Sequence, residues 1–240
     1  MLAKLWAKID NAERRLRHSF GKDITDPRAR RWARLHYHLF DHAFLRVFWT
    51  NFWPVAPGVW RSNQPTHARF VKYKAMGIKT VVNLRGEDKH AHYLFEKESC
   101  AALGMTLIDA KIHAREAAGR GRIVKVIDAL REAERPMMFH CKSGADRAGF
   151  TAAMYLMIFD DAPVEVAMRQ LGLKYIHLDF TATGVQDYIL RVYKARLALG
   201  EIGFEDWIRG EYHAATLQEG WDNRRPEAET AQMLIDKAPK

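Results

Sequence analysis

The stretch Met137 to Met157, MMFHCKSGADRAGFTAAMYLM, decides the reading of this chain. A short apolar run, PMMFH, has the length and flanks of a buried strand, and DRAGFTAAMYLMIF that of an apolar helix. Cys141, one of only two cysteines, stands between them, with Arg147 six positions further on. A loop at the C-terminal edge of a strand, opening directly into a helix, is where open α/β sheets bind ligands. Backbone N–H groups from Lys142 to Arg147 can converge there, aided by the positive end of the helix, so an anion belongs in the loop. Ser143, Gly144 and Ala145 are small enough to let the backbone wrap closely. The planar guanidinium of Arg147 matches two oxyanion oxygens at once, which lysine cannot reproduce. The same field favours a thiolate.

Outward from this loop, strands and helices alternate. GVWRS reads as a short strand, THARFVKYKAMG as a helix, IKTVVNL as a buried strand and HYLFEKESCAALG as a helix closed by glycine. MTLIDAKI is a further strand and GRIVKVIDALREAE a helix. The alternation predicts an α/β fold, a central, mostly parallel sheet flanked by helices, with helical N- and C-terminal extensions. Helices are also expected over APVEVAMRQLG, TGVQDYILRVYKARLALG and GFEDWIRGEYHA. The expected organisation is a helical, basic extension over residues 1–52, a catalytic domain over 53–215 and a solvated tail over 216–240. In the extension, Leu2, Leu5, Trp6, Ile9, Leu16 and Phe20 recur at helical spacing. Asp26-Pro27 then looks like the N-cap and first-turn proline of a second helix.

Of the 240 residues, 48% are apolar, enough for one well-buried domain with decoration. The net charge is +9, and residues 1–50 hold 11 Lys/Arg against 5 Asp/Glu, so the extension carries most of it. A basic chain suits phosphates, anionic lipid or nucleic acid as partners rather than cations, with ordinary solubility charge as the plain alternative. Cys100 and Cys141 lie in no CxxC or zinc spacing, so neither a disulfide framework, a metal site nor a cofactor is implied, and a reducing, cytoplasmic setting is expected. FLRVFWTNFWPVAPGVW is too short and too interrupted for a spanning helix, and the first residues lack a secretory h-region.

HCKSGADR matches the HC-x5-R signature of the cysteine-dependent protein tyrosine phosphatase superfamily, and resembles its bacterial dual-specificity-like and lipid-phosphatase-like branch. GVWRSNQP, VVNLRGE and the signature occur in the order found in such bacterial proteins, and the resemblance covers about residues 55–215. It implies a phosphomonoester hydrolase working through a phosphocysteine without metal. Cys141 is then the nucleophile, Arg147 the transition-state clamp and His140 the neighbour that tunes the thiolate. Lys142, Ser143, Gly144, Ala145, Asp146 and Arg147 form the phosphate cradle, and Arg85 lines its mouth or pairs with Glu87. The substrate is a phosphorylated protein, at tyrosine, serine or threonine, or a phosphorylated lipid; no nucleic acid partner is implied.

Two departures stand out. Where such enzymes often place Ser or Thr after the arginine, this chain has Ala148, leaving Ser143 or Thr151 to supply a hydroxyl. The loop HAREAAGR after MTLIDAKI also lacks the usual aspartate. Candidates for the general acid are Asp146, which leads, Glu116, His113 and Asp109; Asp146 has the alternative of capping its helix. Cys100 reads as packing. A phosphate-binding pseudophosphatase adaptor and a rhodanese-like sulfurtransferase are the competing functions, while the absence of GK[ST] in GADRAG removes P-loop nucleotide chemistry. The basic, aromatic extension, with Trp6, Trp32, Phe48, Trp49, Phe52 and Trp53, raises a peripheral contact with an anionic membrane, at its inner face; aromatics packed on their own domain are the alternative.

Overall fold

The structure is a computed structural model and describes residues 20–238. The chain forms two compact units. One comprises the residues up to Thr50 together with Pro65–Met76 and Glu87–Met105; the other comprises Asn51–Gln64, Gly77–Gly86 and the chain from Thr106 onward. The expected cuts, 1–52 and 53–215, run in series along the chain, whereas these units interleave. The reason is packing, because two helices from the middle of the sequence cluster with the extension.

In the first unit, α1 spans Pro27–Leu39. Asp26 caps it as the sequence suggests, its Oδ1 accepting from the N–H groups of Arg28 at 2.8 Å and Ala29 at 3.0 Å, with Pro27 filling the first turn. Ala33 and Tyr37 of α1 join Ala43 and Ala91 in a small core. The helix expected over residues 2–20 lies almost wholly outside the described residues.

The second unit holds the sheet. Its edge strand β1, Trp53–Ala56, pairs antiparallel with β2, Val59–Asn63. The first unit contributes α2, His67–Ala75, before β3, Thr80–Asn83, returns to the sheet. Next come α3, Ala91–Ala102, in the first unit, then β4, Thr106–Asp109, α4, Arg120–Glu132, and β5, Met137–Cys141, in the second. The strand order is β1-β2-β5-β3-β4, with β2, β5, β3 and β4 mutually parallel. β5 is therefore central. Its five residues are all buried, as befits a strand covered on both faces. β1 escaped the sequence reading because Pro54 and Pro57 look like loop; Pro54 is tolerated at a sheet edge.

The helix α5, Asp146–Phe159, follows the signature loop and is buried continuously from Ala148 to Leu156. It packs with Phe139, Ile123 and Val126 in the main core. Beyond it lie α6, Val164–Met168, α7, Val185–Leu197, and α8, Phe204–Gly210. The solvated tail expected over 216–240 is instead α9, Ala214–Asp222, and α10, Glu227–Lys237. Leu217, Ala231 and Leu234 are fully buried there, and Tyr188 Oη of α7 lies 2.6 Å from Thr230 Oγ1. A narrow apolar stripe among many charges suffices to dock these helices, which mean composition conceals.

Candidate active site

The centre of β5 and the start of α5 fix the two ends of a tight loop. Cys141 is the last residue of β5, paired in register with Asn63 of β2, and its side chain is buried. The chain then turns back over the sulfur, so that the N–H of Gly144 donates to Cys141 Sγ at 3.2 Å. Gly144 has φ +73°, and a Cβ here would lie 2.5 Å from the backbone nitrogen of Asn63. Only glycine fits on both counts. The first amides of α5 have no intrahelical acceptor. The buried Nε of Arg147 likewise has no partner among the described atoms. Donors left over at a helix N-terminus beside a cysteine suit an oxyanion.

The loop is held from outside by a residue of β2. Arg61 is fully buried, and its guanidinium donates to the carbonyls of Gly144 at 2.8 Å and Ala145 at 2.9 Å, and to the carbonyl of Gln170 at 2.6 Å. Those bonds fix the orientation of the two peptide planes they engage. Burial pulls the Arg61 pKa down to about 10, against the opposing pull of Tyr175, Cys141 and Asp146, so it stays charged at neutral pH. Its guanidinium also stacks 3.9 Å from the Tyr175 ring centre. Asn51 adds a second tie, with Nδ2 donating to the carbonyls of Ser143 at 3.1 Å and Tyr175 at 2.9 Å.

Asp146 does not cap α5. Ala145 occupies the N-cap position without a side-chain bond, and the Asp146 carboxylate turns instead to His177, whose Nδ1 lies 2.8 Å from Asp146 Oδ1. The Nε2 of the same ring lies 2.6 Å from Asp187 Oδ2 on α7. A carboxylate, a buried imidazole and a second carboxylate thus form one chain of hydrogen bonds.

A family model described as "DSP-PTPase phosphatase fused to NAD+ Kinase" matches residues 56–180, just over half of the chain. The chain belongs to this phosphatase family. A curated relative, the dual specificity protein phosphatase TpbA of Pseudomonas aeruginosa strain UCBPP-PA14, is 24% identical over 123 residues, covering 50% of this chain and 53% of that protein. The chain thus spans about half the length of the curated relatives it matches. The crystal structure of P. aeruginosa TpbA superposes with a TM-score of 0.50 at 21% identity, over 59% of this chain and 84% of that one. The PP-IP phosphatase SIW14 core from S. cerevisiae, in complex with citrate, gives 0.48 at 16% identity, over 62% and 94%.

In this member of the DSP-PTPase family the other sequence candidates are distributed unevenly. His140 is fully buried beside the nucleophile position, its Nδ1 3.3 Å from the Cys141 carbonyl oxygen. Arg85 does reach the loop's neighbourhood: its guanidinium bonds the Gln64 Oε1, and the Gln64 N–H donates to the Lys142 carbonyl at 3.4 Å. Asp109 lies at the same sheet edge, accepting from Asn83 Nδ2 at 2.9 Å, so Asn83 fixes local structure. Glu116 is mostly exposed and pairs with His113 Nδ1 at 3.0 Å, while His113 Nε2 lies 2.7 Å from Arg122 Nη1. That pair occupies itself rather than the loop. Ser143 Oγ accepts from the Ala145 N–H at 3.3 Å, Thr151 Oγ1 is buried in α5 without a partner among the described atoms, and Cys100 is buried in α3.

Sequence reasoning missed Arg61, Asn51, His177 and Asp187. For Arg61 a signal existed, a charged residue inside a short strand of an α/β sheet; for His177 there was none. The His177 chain has a measurable consequence. Burial opposes the imidazolium, but the bonds to Asp146 and then Asp187 outweigh it and raise the pKa to about 9. A pKa raised above the unfolded value near 6.5 gives stability that is complete below about pH 6.5 and lost as pH rises through about 9. The urea midpoint is expected to fall across that window by up to about 3 kcal/mol of stability, and His177→Gln should flatten the slope. An equally steep decline in the variant would assign the loss elsewhere.

Proposed function

We propose that the chain is a metal-independent phosphomonoesterase that acts through a phosphocysteine, and the observation that carries the reading is the Gly144 N–H turned onto the buried Cys141 sulfur at 3.2 Å, in the loop that opens α5. The Cys141 thiolate attacks phosphorus; the S–P bond forms as the ester P–O bond breaks, and the leaving oxygen takes a proton from Asp146. Water then attacks the phosphocysteine, the S–P bond breaks, and orthophosphate leaves with the thiolate restored. Arg147 clamps the equatorial oxygens. His140 orders the strand end that bears the nucleophile, and Lys142 and Arg85 line the rim. With Ala148 lacking a hydroxyl, the second half-reaction is expected to be the slower one. The test is release of p-nitrophenol from p-nitrophenyl phosphate in excess EDTA: a burst followed by slower turnover supports the reading, and phosphate binding without turnover leaves the adaptor.

Asp146→Asn is expected to slow an alkyl phosphate at least tenfold more than p-nitrophenyl phosphate, because an alkoxide needs the proton and the nitrophenolate does not. Equal losses would show that Asp146 shapes the loop instead.

The relative's name, a dual specificity protein phosphatase, supports a phosphoprotein substrate. The first unit supports a membrane-borne one. Trp32 is 54% exposed on α1 with Leu35 and Leu39 beside it, and Phe44, Leu45 and Phe48 are exposed just beyond. Arg28, Arg31 and Arg34 are exposed on the same helix, while Tyr37 is buried on the opposite side. An outward apolar stripe edged by arginines suits an anionic bilayer surface. No described helix is long and apolar enough to cross a membrane, so this contact is peripheral; Trp6 lies outside the described residues. The protein is expected to cosediment with anionic but not zwitterionic vesicles, and Trp32→Glu with Leu35→Glu should reduce binding at least tenfold. Failure to cosediment at low salt would return phosphotyrosine to the lead, in the cytoplasm.

A further inference from the structure

We propose that His177, held between Asp146 and Asp187, is the positioning residue of the acid step: it fixes the Asp146 carboxylate in one rotamer and supplies the proton that Asp146 hands to the leaving oxygen. The inference rests on the reading of Asp146 as the general acid.

Geometry carries it. His177 is 2% exposed, and both ring nitrogens are committed, at 2.8 Å to Asp146 on α5 and at 2.6 Å to Asp187 on α7. A buried ring with a carboxylate at each nitrogen has one orientation and cannot be flipped without loss. Its loop is tied to the cradle at several points. The Gln170 carbonyl and side-chain oxygen accept from Arg61, and the Tyr175 ring stacks on the same guanidinium, while the Tyr175 carbonyl accepts from Asn51. The residue before His177 carries strain: Ile176, β-branched, has φ +59°. Strain of this kind persists where surrounding contacts over-determine the backbone, and it clusters at working sites. The segment is bent so that the imidazole enters beneath the start of α5.

The groups facing the ring are the Asp146 and Asp187 carboxylates; behind Asp146, the Arg61 guanidinium from β2 acts on the same carboxylate. Lys174, nearby in sequence, is directed elsewhere, over the Trp53 and Tyr175 rings. With two anions against one buried imidazole, the ring is cationic at neutral pH, its pKa lifted to about 9. As the ester bond breaks, the Nδ1 proton of His177 passes to the Asp146 carboxylate, which hands a proton on to the leaving oxygen and is a carboxylate again. The neutral ring is reprotonated by solvent when the alcohol departs, so protons balance over one turnover.

The test compares an alkyl phosphate, glycerol 2-phosphate, with p-nitrophenyl phosphate for the wild type, Asp146→Asn, His177→Gln and Asp187→Asn. His177→Gln keeps an N–H donor to Asp146 but holds no proton to give, and its alkyl-to-aryl kcat ratio is expected to fall at least tenfold. Asp187→Asn should move the basic limb of the alkyl kcat profile down by about one pH unit or more, without moving the aryl profile equally. Equal losses on both substrates in His177→Gln, with a selective loss in Asp146→Asn, would overturn the role of His177 and leave the acid in place. Equal losses in Asp146→Asn would remove the acid reading itself. Imidazole nitrogen NMR of the wild type needs no variant: a cationic His177 ring at pH 7.5 is expected, and a neutral one would overturn the proposal.

Discussion

Cys141→Ser is expected to abolish turnover on p-nitrophenyl phosphate, by at least about 10³-fold, while leaving the fold and orthophosphate binding in place. In the proposed reaction the sulfur contributes the nucleophile and little else. The cradle is built from backbone, with the Gly144 N–H at 3.2 Å from the sulfur and the orphan amides of the first α5 turn beside it. A hydroxyl oxygen is smaller than sulfur and sits within the same pocket between Asn63 and Gly144 without displacing either. A serine hydroxyl is not ionised at neutral pH, so the attacking electron pair is lost while the donors remain. The measurement pairs steady-state kinetics with calorimetric titration of orthophosphate. Residual turnover near the wild-type rate would end the phosphocysteine route, and loss of phosphate binding would show that the thiolate itself helps to hold the loop.

Arg147→Lys is expected to lower kcat at least about 100-fold, on the order of 3 kcal/mol of transition-state stabilisation. A lysine keeps the charge but offers a point donor in place of a planar fork. The reason for a large effect lies in what the other cations do. Arg61 spends its donors on the carbonyls of Gly144, Ala145 and Gln170, and Arg85 is bonded to Gln64, so neither is placed to replace the fork. Arg147, by contrast, has a buried Nε with no partner among the described atoms. A loss below tenfold would mean that a different cation, Lys142 first, meets the developing charge.

The central strand, the loop and α5 were legible in the sequence because every signal in them is local. PMMFH, the small residues and the apolar helix lie within about twenty positions, and Gly144 announces its positive φ by being glycine. What the sequence hid is what the chain brings from afar. Arg61 reaches carbonyls 83 and 84 positions away, and Asn51 reaches across 92 and 124. No periodicity encodes such pairs. His177 sits in KYIHLDF, where a lone histidine among apolar neighbours looks like any packed ring, and Asp187 looks like a first-turn helix residue. The tail failed for a different reason: in NRRPEAETAQ the charges outnumber the few residues that dock, and docking depends only on which side of α10 those few share.

The signature loop is welded to the most deeply buried stretch of the molecule, since β5 is buried throughout and α5 from Ala148 to Leu156. Segments of that kind exchange their amide hydrogens only when the whole domain opens. The floor of the site therefore has no private motion with which to admit or reject a substrate. On the proposed reading, selection among phosphorylated molecules falls to whatever surrounds the loop, and a small anion that lodges in it would slow the unfolding of the entire sheet rather than quiet one mobile edge.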